Sequence, residues 1–112
     1  MPRPNPPFMS GVPELLVLRL LARQEMYGYE LVRAIRETSH EKIVLAEGVV
    51  YPVLHALEQQ GALRSKERSV GGRSRIYYGI TAKGHRRLET LVGEWERLNL
   101  GIRSFWEGTS YA

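Results

Sequence analysis

Gly71-Gly72 sits between two stretches of alternating character, and no other pair in the sequence constrains the fold as strongly. In Leu63–Ser69, Arg64, Lys66 and Arg68 fall on one side. In Arg75–Thr81, Ile76, Tyr78 and Ile80 alternate with Arg75, Tyr77 and Gly79. Period-two patterning on both flanks of a glycine pair predicts a β-hairpin. One face of the ribbon is expected to pack on a core, and the other is cationic.

The remaining sequence reads as helix. Pro13 suits a first helical position and Glu14 a first turn, and Leu15, Leu18, Leu21 and Ala22 repeat at helical spacing up to Arg23. After a break at Gln24–Met26, a second helix is predicted over Tyr27–Thr38, with Leu31 and Ile35 one turn apart and Tyr29 in the core. Ser39–Ala46 reads as a connector with a short strand at Lys42–Leu45. A third helix is predicted from Gly48 to Gln60 and is stopped by Gly61. Val50, Val53, Leu54 and Leu57 form its apolar stripe, while Tyr51, His55 and Glu58 face outward together. Pro52 is placed near the helix start, where a missing N–H costs little. Thr81 is a candidate N-cap for a last helix. There Leu88, Leu91, Trp95, Leu98, Ile102 and Phe105 follow one another at spacings of 3, 4, 3, 4 and 3, the seam of a coiled coil.

At 112 residues the chain has room for one domain. Residues 1–10 hold four of the six prolines and read as a flexible arm. Three helices followed by a basic, glycine-tipped hairpin make a winged helix-turn-helix domain over 11–81. A dimerisation helix follows over 82–107 and a tail over 108–112. The fold class is thus mainly α with a small β-hairpin.

The charge distribution suggests a partner. The net charge is +4, but the stretch from Gly61 to Arg87 carries eight cations against Glu67 alone, so it is +7 and the rest of the chain −3. A local basic block in a mildly acidic chain is the footprint of a nucleic-acid binder. A helix of about 13 residues fits the major groove while wing cations reach phosphates beside it. The absence of cysteine excludes disulfides, thiol catalysis and cysteine-based metal sites, and without aspartate there is no Ser-His-Asp triad. His40, His55 and His85 lack metal-ligand spacing. The chain is therefore expected to be neither an enzyme nor a cofactor binder. With no apolar run near the ~18 residues of a membrane span, the expected compartment is the cytoplasm.

The residues also resemble a known family. LLVLRLLARQEMYGYEL (15–31), EGVVYPVLHALEQQGAL (47–63) and GGRSRIYYGITAKG (71–84) are similar to stretches of the PadR family of transcriptional regulators. The likeness spans about Glu14 to Leu100 and points to the subgroup with a single short C-terminal dimerisation helix. It implies a winged-helix domain on duplex DNA, a homodimer built on the last helix, and usually repression. There is one departure: many members carry a Thr and then a Leu or Ile before the helix-three tyrosine, and here Val49 and Val50 stand there, without the hydroxyl.

Taken together, the expected DNA-binding residues are Tyr27, Tyr51, His55, Arg64, Lys66, Gly72, Arg73 and Arg75. The expected dimer seam is Leu88, Leu91, Trp95, Leu98, Ile102 and Phe105. Trp95 is also a candidate wall for a planar aromatic effector, since some family members bind such ligands at this helix. Two alternatives accompany the repressor reading: a ligand-binding protein that uses a Trp95 slot, and a winged-helix module that sets its ribbon on an acidic protein.

Overall fold

The computed structural model describes residues 9–107. The elements run α1 (Val12–Leu21), β1 (Met26–Tyr27), α2 (Gly28–Thr38), α3 (Glu47–Gln59), β2 (Leu63–Val70), β3 (Arg73–Ile80) and α4 (Ala82–Arg103). Residues 1–8 of the expected arm and the tail over 108–112 lie outside the described residues.

Local contacts set the starts of α1, α2 and α4 and the end of α3. Gly11, left-handed at φ 86°, turns the chain into α1 and its carbonyl accepts from the Leu15 N–H at 3.2 Å. The Tyr27 N–H at the head of α2 donates to Glu30 Oε1 at 3.1 Å, satisfying one of the donors that a helix start leaves open. α3 stops where Gly61 takes φ 80° and the Ala62 N–H donates back to the Leu57 carbonyl at 2.9 Å. At the head of α4 the Thr81 hydroxyl accepts from the Gly84 N–H at 3.1 Å and donates to the Gly61 carbonyl at 2.6 Å. One side chain thus caps α4 and ties it to the end of α3.

The core lies where α1, α2 and α3 meet the root of the ribbon. Val17, Leu18, Leu31, Val50 and Leu54 are fully buried there, with Leu57, Leu63 and Tyr78 beside them. Leu45 plugs the α2–α3 connector into this core with 1% exposure. No strand forms over Lys42–Leu45, contrary to expectation. The Ser39 hydroxyl instead holds this segment as an irregular turn, accepting from the Ile43 N–H at 3.0 Å and donating to the Ile43 carbonyl at 3.1 Å. The third strand of the sheet is β1. The order is β1-β3-β2, antiparallel throughout, with Met26 opposite Tyr78 and Tyr27 opposite Tyr77.

Four further expectations are corrected. Tyr29 is 49% exposed rather than core, and the Arg33 guanidinium stands 6.0 Å from its ring. Pro52 is the sixth residue of α3, so its missing N–H leaves the Gly48 carbonyl, four residues back, without its helical donor. Ile76 is 45% exposed, because only the root of the ribbon meets the core and the outer rungs project beyond it. Leu88 is 6% exposed within the chain's own core, and Leu91 is half-buried against the same core. A heptad pattern identifies a covered face but not what covers it. At these two positions the cover is this chain's own core, so the exposed part of the seam begins at Trp95.

Candidate nucleic-acid interface

The register of the hairpin determines which ribbon side chains stand together. Arg64 pairs with Gly79, Lys66 with Tyr77, Arg68 with Arg75 and Val70 with Arg73. Directly opposed residues share a face, so all five ribbon cations lie on the side away from the buried Leu63 and Tyr78. Tyr27 joins this face through its pairing with Tyr77. The face is long: six rungs separate Arg64 from Arg73, about 20 Å at the usual rise per residue. The wing residues expected to act together are therefore spread along the ribbon, with Arg73 at the tip and Arg64 at the root.

The cations differ in what they touch. Arg75 stacks on the Tyr27 ring at 4.4 Å, and Tyr27 meets Tyr77 edge-on at 5.5 Å. Arg68 lies 5.0 Å from the Tyr77 centroid. Arg68 and Lys66 both reach Glu25 Oε1, at 2.8 and 3.5 Å. Arg64 and Arg73 make no ion pair among the described residues. Gly71 and Gly72, at φ 58° and 79°, form the tip, where a turn with two left-handed residues matches the twist of the strands. Open space surrounds both glycines.

On α3 the two expected groove residues have separate surroundings. His55 is exposed, whereas Tyr51 is half-buried with its ring lying over Gly28. A Cβ at Gly28 would stand 2.5 Å from the Tyr51 ring and hydroxyl, so only glycine permits this approach. The Tyr51 and His55 rings are 6.5 Å apart. Glu58, expected on the same outward face, is taken up by the Ser65 hydroxyl at 2.5 Å. Burial, helped by the nearby Glu58 and Tyr51, pushes the Tyr78 hydroxyl above its ordinary pKa. Tyr78 is therefore a neutral packing group.

Glu25 was missed by the sequence reading, since a lone glutamate in a helix break carries no pattern. Arg68 was legible by the same alternation as Arg64 and Lys66.

At the far end of the molecule, Trp95 and Leu98 are 48% and 59% exposed and continue into exposed Ile102 and Phe105. A groove of about 210 Å³ runs between the start of α1 and this helix, lined by Val12, Leu15, Leu91, Trp95 and Leu98 among others. α4 is rooted on α1 by a two-point ion pair in which Arg87 Nε and Nη2 donate to Glu14 at 2.9 and 3.1 Å. That hydrogen bonding holds the Arg87 guanidinium above its ordinary pKa.

Residues 17–90 match the profile of the transcriptional regulator PadR-like family. An uncharacterized protein of Lysinibacillus sphaericus is 32% identical over 101 residues, which make up 89% of this chain and 93% of that protein. The transcriptional regulator YqjI of Escherichia coli is 33% identical over 82 residues, 73% of this chain but only 38% of YqjI. Among solved structures, a transcriptional regulator from Clostridium thermocellum superposes with a TM-score of 0.83 at 29% identity, covering 89% of this chain and 98% of that one. No helix among the described residues is long and apolar enough to cross a membrane.

Proposed function

This chain belongs to the PadR-like family of transcriptional regulators, and from that premise we propose that it binds duplex DNA as a homodimer and represses transcription until a flat aromatic ligand releases it. The observation that carries the reading is the single-sided ribbon: every wing cation lies on one face, and the tip is open. In this reading α3 enters the major groove with His55 at the base edges and Tyr51 braced on Gly28. Gly72 lets the wing tip approach the backbone, and Arg73, Arg75 and Arg64 take phosphates, Arg75 being held in place by Tyr27. Phosphate contacts supply affinity, and groove contacts supply sequence choice.

The test is the salt dependence of binding. Three phosphate contacts per subunit, six per dimer, give a slope of log K against log salt of about −5. Arg73→Ala with Arg75→Ala removes four of the six, and the slope is expected to relax to about −2 with all duplexes weakened alike. His55→Ala is expected instead to relax sequence choice, by about 1–3 kcal/mol at the base it reads. If the double arginine variant binds a selected duplex with the parent's affinity and slope, the wing assignment is wrong.

The dimer and the effector belong together in this reading. Trp95, Leu98, Ile102 and Phe105 form the seam. Leu88 and Leu91 support it from beneath. Trp95 lines the groove beside α1 and offers an indole face to a planar ligand. Such a ligand changes DNA affinity only if it favours one arrangement of the two α3 helices, and about 1–3 kcal/mol of coupling gives a 5- to 150-fold change. On a Trp106→Phe background, planar aromatic compounds are expected to quench Trp95 and weaken duplex binding. Trp95→Ala should abolish the weakening while duplex binding persists. A broad aromatic panel without quenching would place any effector elsewhere.

A further inference from the structure

Glu25 precedes β1, on the edge of the sheet opposite β2, yet its carboxylate contacts two β2 cations. To reach them it must cross β3, and it does so over Gly79. A Cβ at that position would stand 3.2 Å from Glu25 Oε2, so the glycine clears the path. The carboxylate is the more protected partner, with 28% of its side chain exposed against 53% for Lys66 and 45% for Arg68. Arg68 is held twice, by Glu25 at 2.8 Å and by the Tyr77 ring. Two of the five ribbon cations are thus engaged by an anion of the same chain, whereas Arg64 and Arg73 make no ion pair among the described residues.

We propose that Glu25 is a specificity-determining residue that withholds Lys66 and Arg68 from DNA phosphates. The inference rests on the DNA-binding reading above. In a non-specific complex any cation within reach of a phosphate adds affinity, and each added contact steepens the salt dependence. Where α3 fixes the register, the ribbon is set by base contacts, and Lys66 and Arg68 stay on Glu25. A carboxylate placed there lowers binding to random duplex more than binding to a recognised sequence. It thereby raises the ratio between the two, the quantity on which selection of a genomic site depends.

The experiment compares the parent with Glu25→Gln, on a random-sequence duplex and on a duplex selected by the parent from a random pool. The parent slope on random duplex is expected near −5. Freeing two further cations per subunit moves it toward about −9. Random-duplex affinity should rise at least tenfold at 0.1 M salt, and the selected-to-random ratio should fall. Lys66→Ala with Arg68→Ala should cancel this gain in the Glu25→Gln background and leave the slope nearly unchanged in the parent. An unchanged slope in Glu25→Gln overturns the proposal. So does an equal loss from the double alanine variant in both backgrounds, since the two cations would then already sit on phosphates. A parent without salt-dependent duplex binding removes the DNA reading itself, and that result comes from the parent alone.

Discussion

In the proposed homodimer, Leu98→Glu combined with Ile102→Glu is expected to give monomers and to weaken binding to a duplex with two half-sites by about a hundredfold or more, because the second subunit no longer binds as a tethered partner. α4 and the turn after it leave large apolar side chains exposed. Trp95, Leu98, Ile102 and Phe105 expose apolar surface along one stripe, and each large side chain contributes ~1.5–3 kcal/mol when buried. Since these side chains are only 44–67% exposed beforehand, eight of them from two subunits contribute about 6–13 kcal/mol, comparable to an association cost of about 4–15 kcal/mol. Two glutamates per subunit put four carboxylates into that seam, where desolvation and mutual repulsion act together. Because Leu88 and Leu91 serve the chain's own core, the substitutions lie beyond the domain and its fold should persist. Sedimentation at micromolar concentration checks the first half and a duplex titration the second. A monodisperse monomer of the parent at that concentration would overturn the assembly.

Gly84→Ala will lower stability by about 3 kcal/mol and the melting temperature by about 12 °C or more. Gly84 is buried in the first turn of α4, and a Cβ there would overlap the Ala62 carbonyl and come within 2.6 Å of Ile80 Cγ1. The Ala62 carbonyl cannot retreat, because it accepts from the Thr81 N–H at 3.0 Å and Thr81 also bonds the neighbouring Gly61 carbonyl. The overlap therefore falls on a backbone junction rather than on a side chain free to swing aside. A domain of this size has about 5–15 kcal/mol in all, so the loss is a large fraction. Gly93→Ala is the matched control. It lies in the same helix in open space, and there the change should stabilise by about 0.5–1 kcal/mol. Thermal melts of the two variants should move in opposite directions. A Gly84→Ala protein melting within a degree or two of the parent would refute the packing argument.

Those two glycines show how far the sequence could be read. The ribbon was legible because period two and a glycine pair leave few alternatives, and its register then placed the cations. The last helix was legible as a periodic apolar face, but periodicity does not distinguish Leu88, covered by the chain's own core, from Leu98, 59% exposed among the described residues. β1 was invisible, since two residues carry no period, and with it went the position of Tyr27 on the sheet. Tyr29 was misplaced for a related reason. Of the tyrosines at 27, 29 and 51, only three-dimensional packing shows that the second turns outward while Tyr51 rests on Gly28. Glu25 depended on the crossing over Gly79, a contact between residues 54 positions apart that no local pattern encodes.

The Arg87–Glu14 clamp and the burial of Leu88 make the lower part of α4 a rigid extension of α1. Twenty-two residues of helix are a rod of about 33 Å. Tilting such a rod by about 6° at its far end displaces whatever is bolted to its base by roughly 3.4 Å, the height of one base-pair step. In the proposed homodimer, the angle at which two such rods cross is therefore a ruler. A side chain one methylene larger or smaller at Leu98 or Ile102 of that proposed dimer would change the spacing of the two α3 helices without touching a single residue that faces DNA.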